Sequence, residues 1–294
     1  MTETSPLRLH EDPSLFREAV NFTAAETGFS SRLVEKDYFC SVLLQYLEAS
    51  GAGLVFKGGT SLAKVHAGFY RLSEDLDFVI PVPTDASRAA RRLRALGAKR
   101  AVAGLRGTLP GVHLVSPLTG ANDSRQYVAV IGYRTLVSAN EETIKVEVGL
   151  REPLLTDVVR SEASTLLLDP VSGSSLVPPT VVTCVSRHEA MAEKLRAALS
   201  RRDVAIRDFY DVEYAVRRLG VRLLDSGLTE LVRRKLAVPG NAPVDVSAPR
   251  LAALRQQLDS ELRPVLRGRD FGDFDLHRAF AMVAELAVAL EAGD

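Results

Sequence analysis

The sequence has no tryptophan and only two cysteines, Cys40 and Cys184, in apolar surroundings with no CxxC pattern. That pattern excludes a disulfide framework and predicts two buried, inert thiols in a reducing cytoplasm. No apolar run approaches the roughly 18 residues of a membrane span, and the polar opening MTETSPLRLHEDPS does not read as a signal peptide. No membrane partner is expected. Lys and Arg together number 37, as do Asp and Glu, so no overall field recruits nucleic acid and any such contact needs a local patch. One patch is marked by another absence: Asp and Glu are missing from Ala86 through Asn122, whereas seven Lys/Arg fall between Arg88 and Arg106. The Walker A pattern GxxxxGK[ST] is also missing, which excludes a P-loop. There is no internal repeat and no low-complexity tract.

What is present suits a folded chain. Apolar residues make up 46% and charged residues 25% of the 294, and that length suggests about two domains with a sizeable core. Residues 13–49 read as helical, with Asp12 or Ser14 as first cap and apolar residues at helical spacing in LVEKDYFCSVLLQYL. LVFKGG reads as a short strand entering a tight turn, SLAKVHAGF as helix, and LDFVIPV as a strand stopped by Pro81 and Pro83. An Arg-rich helix over 85–98 and strands near 112–116, 126–137 and 143–149 complete a mixed sheet. Beyond Pro178-Pro179 the pattern is helical: 188–202, 208–220, 228–237, 249–263 and 275–291.

The chemistry concentrates between Lys57 and Asp77. A strand ending in Lys57-Gly58-Gly59, with Thr60-Ser61 opening a helix, offers backbone N–H groups and hydroxyls to an anion. Asp75 and Asp77 flank Leu76, so in an extended strand both carboxylates share a face while Leu76 turns to the core. Two such carboxylates repel unless a cation lies between them, and Mg²⁺ takes one or two carboxylates plus phosphate oxygens. The pattern points to a nucleoside triphosphate with Mg²⁺, in a two-metal arrangement. A solvated strand edge beside an unrelated glycine turn is the bland alternative.

GGTSL followed by SEDLDF resembles the first motif of the polymerase-β-like nucleotidyltransferases. Within them the chain is similar to the AbiEii and MenT family, the toxin halves of toxin–antitoxin and phage-defence systems. VEKDYFCSVLL (Val34 to Leu44) is similar to the helix preceding the family's glycine turn. HEAMAEKLRAALSRRDVAIRDFYDVEYAV (His188 to Val216) is similar to its later Lys and RDxxD motifs. The likeness runs in order over residues 30–216. It implies an α+β fold: a polymerase-β-like mixed sheet with flanking helices over residues 1–180, then an all-helical domain over 181–294 that completes the nucleotide site.

On this resemblance Lys57, Gly58, Gly59, Thr60 and Ser61 cradle phosphates, and Asp75 and Asp77 hold Mg²⁺. A third acid is expected from a neighbouring strand. TIKVEVGL places Lys145 and Glu147 on one face and Val146 and Val148 on the other, making Glu147 the candidate third metal ligand; a surface Lys/Glu pair on an edge strand is the alternative. Lys194 matches the lysine expected to contact the triphosphate, where it would offset charge in phosphoryl transfer. Asp208 and Asp211 lie at i, i+3 on one helix face. The resemblance favours Asp211 as the functional acid, whereas Asp208 could equally cap a helix beginning at Phe209. Ser73 is either a nucleotide contact and regulatory phosphorylation point or a hydroxyl satisfying its turn.

The resemblance also implies an acceptor: relatives add nucleotides to the 3′ acceptor end of tRNA and so block translation. Arg88, Arg91, Arg92 and Arg94 are candidate nucleic-acid contacts, and a cognate antitoxin is the expected protein partner. Competing readings are a phosphotransferase acting on a protein such as that antitoxin, a small-molecule nucleotidyltransferase, and a catalytically silent binding module.

Overall fold

A computed structural model describes residues 6–138 and 140–292; the first five residues of the polar opening fall outside them. The chain divides into two compact units, residues 1–153 with 158–185 and residues 154–157 with 186–294.

The first unit opens with helices α1 (Pro13–Thr27) and α2 (Ser31–Ala49). Asp12, not Ser14, caps α1, its carboxylate accepting the Ser14 and Leu15 amides. Strand β1 (Val55–Lys57) runs into a four-residue helix α3 (Gly58–Ser61) and a π-helical turn at Leu62–His66. Strand β2 (Leu76–Val79) follows, then helices α4 (Arg88–Arg94) and α5 (Leu96–Gly104) where one Arg-rich helix was expected. Strands β3 (Val112–Ala121), β4 (Gln126–Arg134) and β5 (Glu141–Gly149) come next. Two further strands, β6 (Val159–Ala163) and β7 (Thr180–Cys184), were not expected from the sequence. Both are only five residues long, and β6 buries little besides Ala163, so neither shows a strong alternating pattern.

All seven strands form one mixed sheet ordered β3-β4-β5-β2-β1-β7-β6. The pairs β2/β5 and β1/β7 are parallel and the others antiparallel. Edge strand β3 runs on through Pro117, with register shifts on either side of Ser116. Proline and bulges are the usual devices that blunt an exposed edge. The core joins α2 to the apolar face of the sheet: Tyr38, Leu43, Leu76, Ile144, Val146 and Val148 have no exposed surface.

The second unit is mostly helical: α6 (Arg187–Ser200), α7 (Ile206–Leu219), α8 (Ser226–Leu236), α9 (Ala248–Gln256), α10 (Gly268–Asp273) and α11 (Leu276–Glu291). Ser186, Asp225 and Asp275 cap α6, α8 and α11, and Gly220 ends α7 in the left-handed conformation at φ 67°. The helix expected over 249–263 ends at Gln256 and continues as a π turn and a 3-10 turn containing Pro264. Among the described residues no helix is long and apolar enough to cross a membrane.

Candidate active site

Strand pairing brings the two halves of the sequence motif together. In the β1/β2 register Lys57 lies opposite Asp77, so the turn leaving β1 meets the second aspartate. Gly58 has φ +76°, a conformation that favours glycine, and a Cβ there would run into the Asp77 carboxylate. A Cβ on Gly59 would lie 2.6 Å from Arg71 Nη2 and 3.2 Å from Ser73 Oγ. Gly58 is therefore required by its backbone conformation and by the close approach of the acid strand, whereas a side chain at Gly59 would have to displace the Arg71 guanidinium. The Thr60 hydroxyl donates to the Asp75 carbonyl, tying turn to loop again. Ser61 Oγ is buried and has no hydrogen-bond partner among the described residues, an orphan that asks for a ligand atom.

The carboxylates are arranged by β2 and β5. Leu76 is fully buried, as alternation requires. Asp77 pairs in register with Glu147 on the adjacent parallel strand, so their side chains share a sheet face. β5 lies inside the sheet between β4 and β2, which removes the edge-strand alternative for Lys145 and Glu147. Lys145 Nζ stands 3.4 Å from Glu147 Oε2 and 3.9 Å from Asp75 Oδ2. Burial works against that ammonium, but the charges of Asp75, Glu147 and Asp77 outweigh it and hold its pKa above the ordinary value. Asp77 is under the opposite pressure. Burial and then the Glu147 charge push its carboxyl from 3.8 up to about 6, with Lys57 and Lys145 opposing. The donor set is acid-rich and short of positive charge, which fits a divalent cation. Among the described residues no three His, Cys, Asp or Glu side chains already form a metal cage.

In the second unit, Lys194 on α6 lies 2.8 Å from Asp208 Oδ1 and 2.9 Å from Asp211 Oδ2. Both acids are buried, and Arg201 Nη1 adds a contact to Asp208 Oδ2 at 3.3 Å. Asp208 is not an N-cap: α7 starts at Ile206, Ala205 occupies the cap position, and Asp208 sits in the first turn as a partner of Lys194. The i, i+3 spacing put both acids on one face, but their shared lysine lies on another helix.

The basic stretch is corrected at one position. Arg91 is buried and donates from Nη2 to the Thr84 carbonyl, because α4 turns it inward, so it supports the fold and offers no charge to a surface ligand. Arg88, Arg92 and Arg94 are exposed, Arg88 lying 3.9 Å from Asp123. Leu93 and Leu96 are also exposed beside Arg92 and Lys99, so the face is mixed in character. The sequence reading missed Arg71, a fully buried guanidinium backing Gly59, since nothing local marks that arginine as internal.

The family model described as nucleotidyl transferase AbiEii toxin, Type IV TA system, matches residues 42–283. The chain belongs to the AbiEii family. This AbiEii protein is therefore a nucleotidyltransferase and the toxin of a type IV toxin–antitoxin system, which implies a cognate antitoxin. Its fold is similar to that of JHP933 from Helicobacter pylori, at 16% identity and TM-score 0.51, covering 90% of this chain and 94% of that one. MenT4, a nucleotidyltransferase toxin from Mycobacterium tuberculosis, aligns at 21% identity and TM-score 0.49 over 93% of this chain and 98% of its own. No curated protein matches the chain.

Proposed function

We propose that this AbiEii protein transfers a nucleoside monophosphate from an NTP to the 3′ acceptor end of tRNA, and so blocks translation. The observation that carries the nucleotide part is the meeting of the glycine turn with Asp77 across the Lys57–Asp77 pair, beside the orphaned Ser61 hydroxyl. Gly58, Gly59, Thr60 and Ser61 bind phosphate oxygens through backbone N–H groups and the Ser61 hydroxyl, with Lys57 adding charge and Ser73 close to Gly59. Asp75 and Asp77 would hold Mg²⁺, with Glu147 as the third acid. When bound, the metal supplies charge neutralisation at the phosphates and a more acidic attacking hydroxyl. Lys145 offsets part of the repulsion among the three acids. Lys194 and Asp211 enter the proposal through family likeness, Lys194 as the cation that meets the triphosphate and Asp211 as the acid that orients it.

The acceptor rests on the family's activity and on the exposed Arg88, Arg92 and Arg94, which suit a phosphate backbone. Purified protein incubated with Mg²⁺, total tRNA and each α-labelled NTP in turn, beside Asp75→Ala, tests it. Label on tRNA that vanishes in the variant is the expected result. γ-Label on protein, with none on tRNA, would replace nucleotide transfer to RNA by phosphotransfer to a protein.

A further inference from the structure

Three consecutive charged residues of α2, Glu35, Lys36 and Asp37, are all buried, at 1%, 8% and 3% exposure. Successive helical residues point about 100° apart, so the three cannot serve one neighbour, and they do not. Glu35 Oε1 accepts the Leu136 amide at 2.7 Å in the turn joining β4 to β5. Lys36 Nζ reaches Glu74 Oε1 at 3.3 Å and Glu142 Oε2 at 3.5 Å. Asp37 Oδ1 pairs with Lys64 Nζ at 2.6 Å, and its Oδ2 accepts the Leu166 amide at 3.0 Å. Lys64 is further bonded to Ser41 Oγ and the Ser164 carbonyl.

The two basic contacts land on the nucleotide site's own supports. Glu74 immediately precedes Asp75, and Lys64 lies in the π-helical turn that continues Gly58–Ser61. Buried ion pairs are a poor source of net stability, because desolvation offsets their attraction. What they supply is direction, and here both directions converge on the segments that carry Asp75 and the glycine turn.

We propose that Lys36 and Asp37 are positioning residues for the nucleotide site, Lys36 setting the approach to Asp75 through Glu74 and Asp37 setting the glycine turn through Lys64. This rests on the reading that Asp75 and Asp77 hold the metal. Lys36→Met keeps the side-chain volume and leaves Glu74 paired to Arg32 at 2.6 Å, so the fold is retained. Mn²⁺ titrated calorimetrically into the full chain with a non-hydrolysable NTP should bind Lys36→Met about tenfold more weakly, as when an outer partner of a metal ligand is lost. The thermal midpoint should stay within a few degrees, and Lys36→Arg should recover most of the affinity. The neutral pair Asp37→Asn/Lys64→Met avoids a buried unpaired charge and should raise KM for the NTP more than it lowers kcat. A lowered midpoint with unchanged Mn²⁺ affinity in Lys36→Met would make its role purely structural and overturn the proposal. Asp75→Asn separates the two ideas: if it leaves Mn²⁺ binding intact the site reading fails, whereas if it abolishes binding while Lys36→Met does not weaken it, only the positioning role fails.

Discussion

Replacing Asp77 by Asn should stabilise the metal-free protein at pH 7.5. Burial and Glu147 raise the Asp77 carboxyl from 3.8 to about 6 in the folded state. The folded protein thus holds that proton more tightly than the unfolded chain does. The group's favourable contribution is complete below the unfolded pKa and is lost as pH rises through about 6. Roughly 2 units at 1.36 kcal/mol each put the cost of the ionised form at about 3 kcal/mol at pH 7.5. Asparagine removes the charge but keeps a polar group to desolvate, so a gain of about 1–2 kcal/mol is expected. For a domain of this size that is a rise of about 2–6 °C in thermal midpoint. Wild type and Asp77→Asn would be melted in EDTA at pH 7.5 and 5.0, then again with Mn²⁺. The gap should fall by about 1.4 kcal/mol, to near zero, at pH 5.0, and Mn²⁺ should raise the midpoint of the wild type alone. A variant less stable than wild type at pH 7.5, or a gap indifferent to pH, would refute the electrostatic account of this acid.

Further outcomes follow from individual contacts. Gly58→Ala should cost about 1–2 kcal/mol of backbone strain and also raise KM for the NTP at least several-fold, because its Cβ meets Asp77. Gly68→Ala carries comparable strain at φ +63° with nothing nearby, so it should leave KM alone in the same steady-state assay. Lys235 has no exposed surface and lies 2.7 Å from Glu189 and 3.2 Å from Glu193. Lys235→Met should therefore destabilise the helical unit by about 3–5 kcal/mol, read as an earlier urea transition in the helical circular dichroism signal. Arg92→Ala and Arg94→Ala should each weaken tRNA binding and reduce its salt slope by about one. Arg91→Ala should lower the melting temperature instead, with the salt slope measured by filter binding unchanged.

Short-range rules made much of this molecule readable. The glycine turn followed by the Asp-Leu-Asp strand is legible because positive φ, close approach and side-chain alternation are local properties. The same alternation placed Lys145 and Glu147 on one face of β5 with Val146 and Val148 behind them, and helical periodicity located α6, α7 and α11. Strands β6 and β7 were missed because five residues carry too little pattern, and the break between α4 and α5 fell inside one continuous helical signal.

What the sequence determined by itself was therefore which residue types could bind phosphate and metal, and their order along the chain. The tertiary structure decided which charges face water and which are held inside. Glu35, Lys36, Asp37, Arg91 and Lys235 all read as surface residues in a single sequence, since a charge is ordinarily solvated. Their burial depends on partners as far off as 101 residues for Glu35 and 129 for Asp37. A buried charge is tolerated only when such a partner is fixed in place, and folding alone brings those partners within reach.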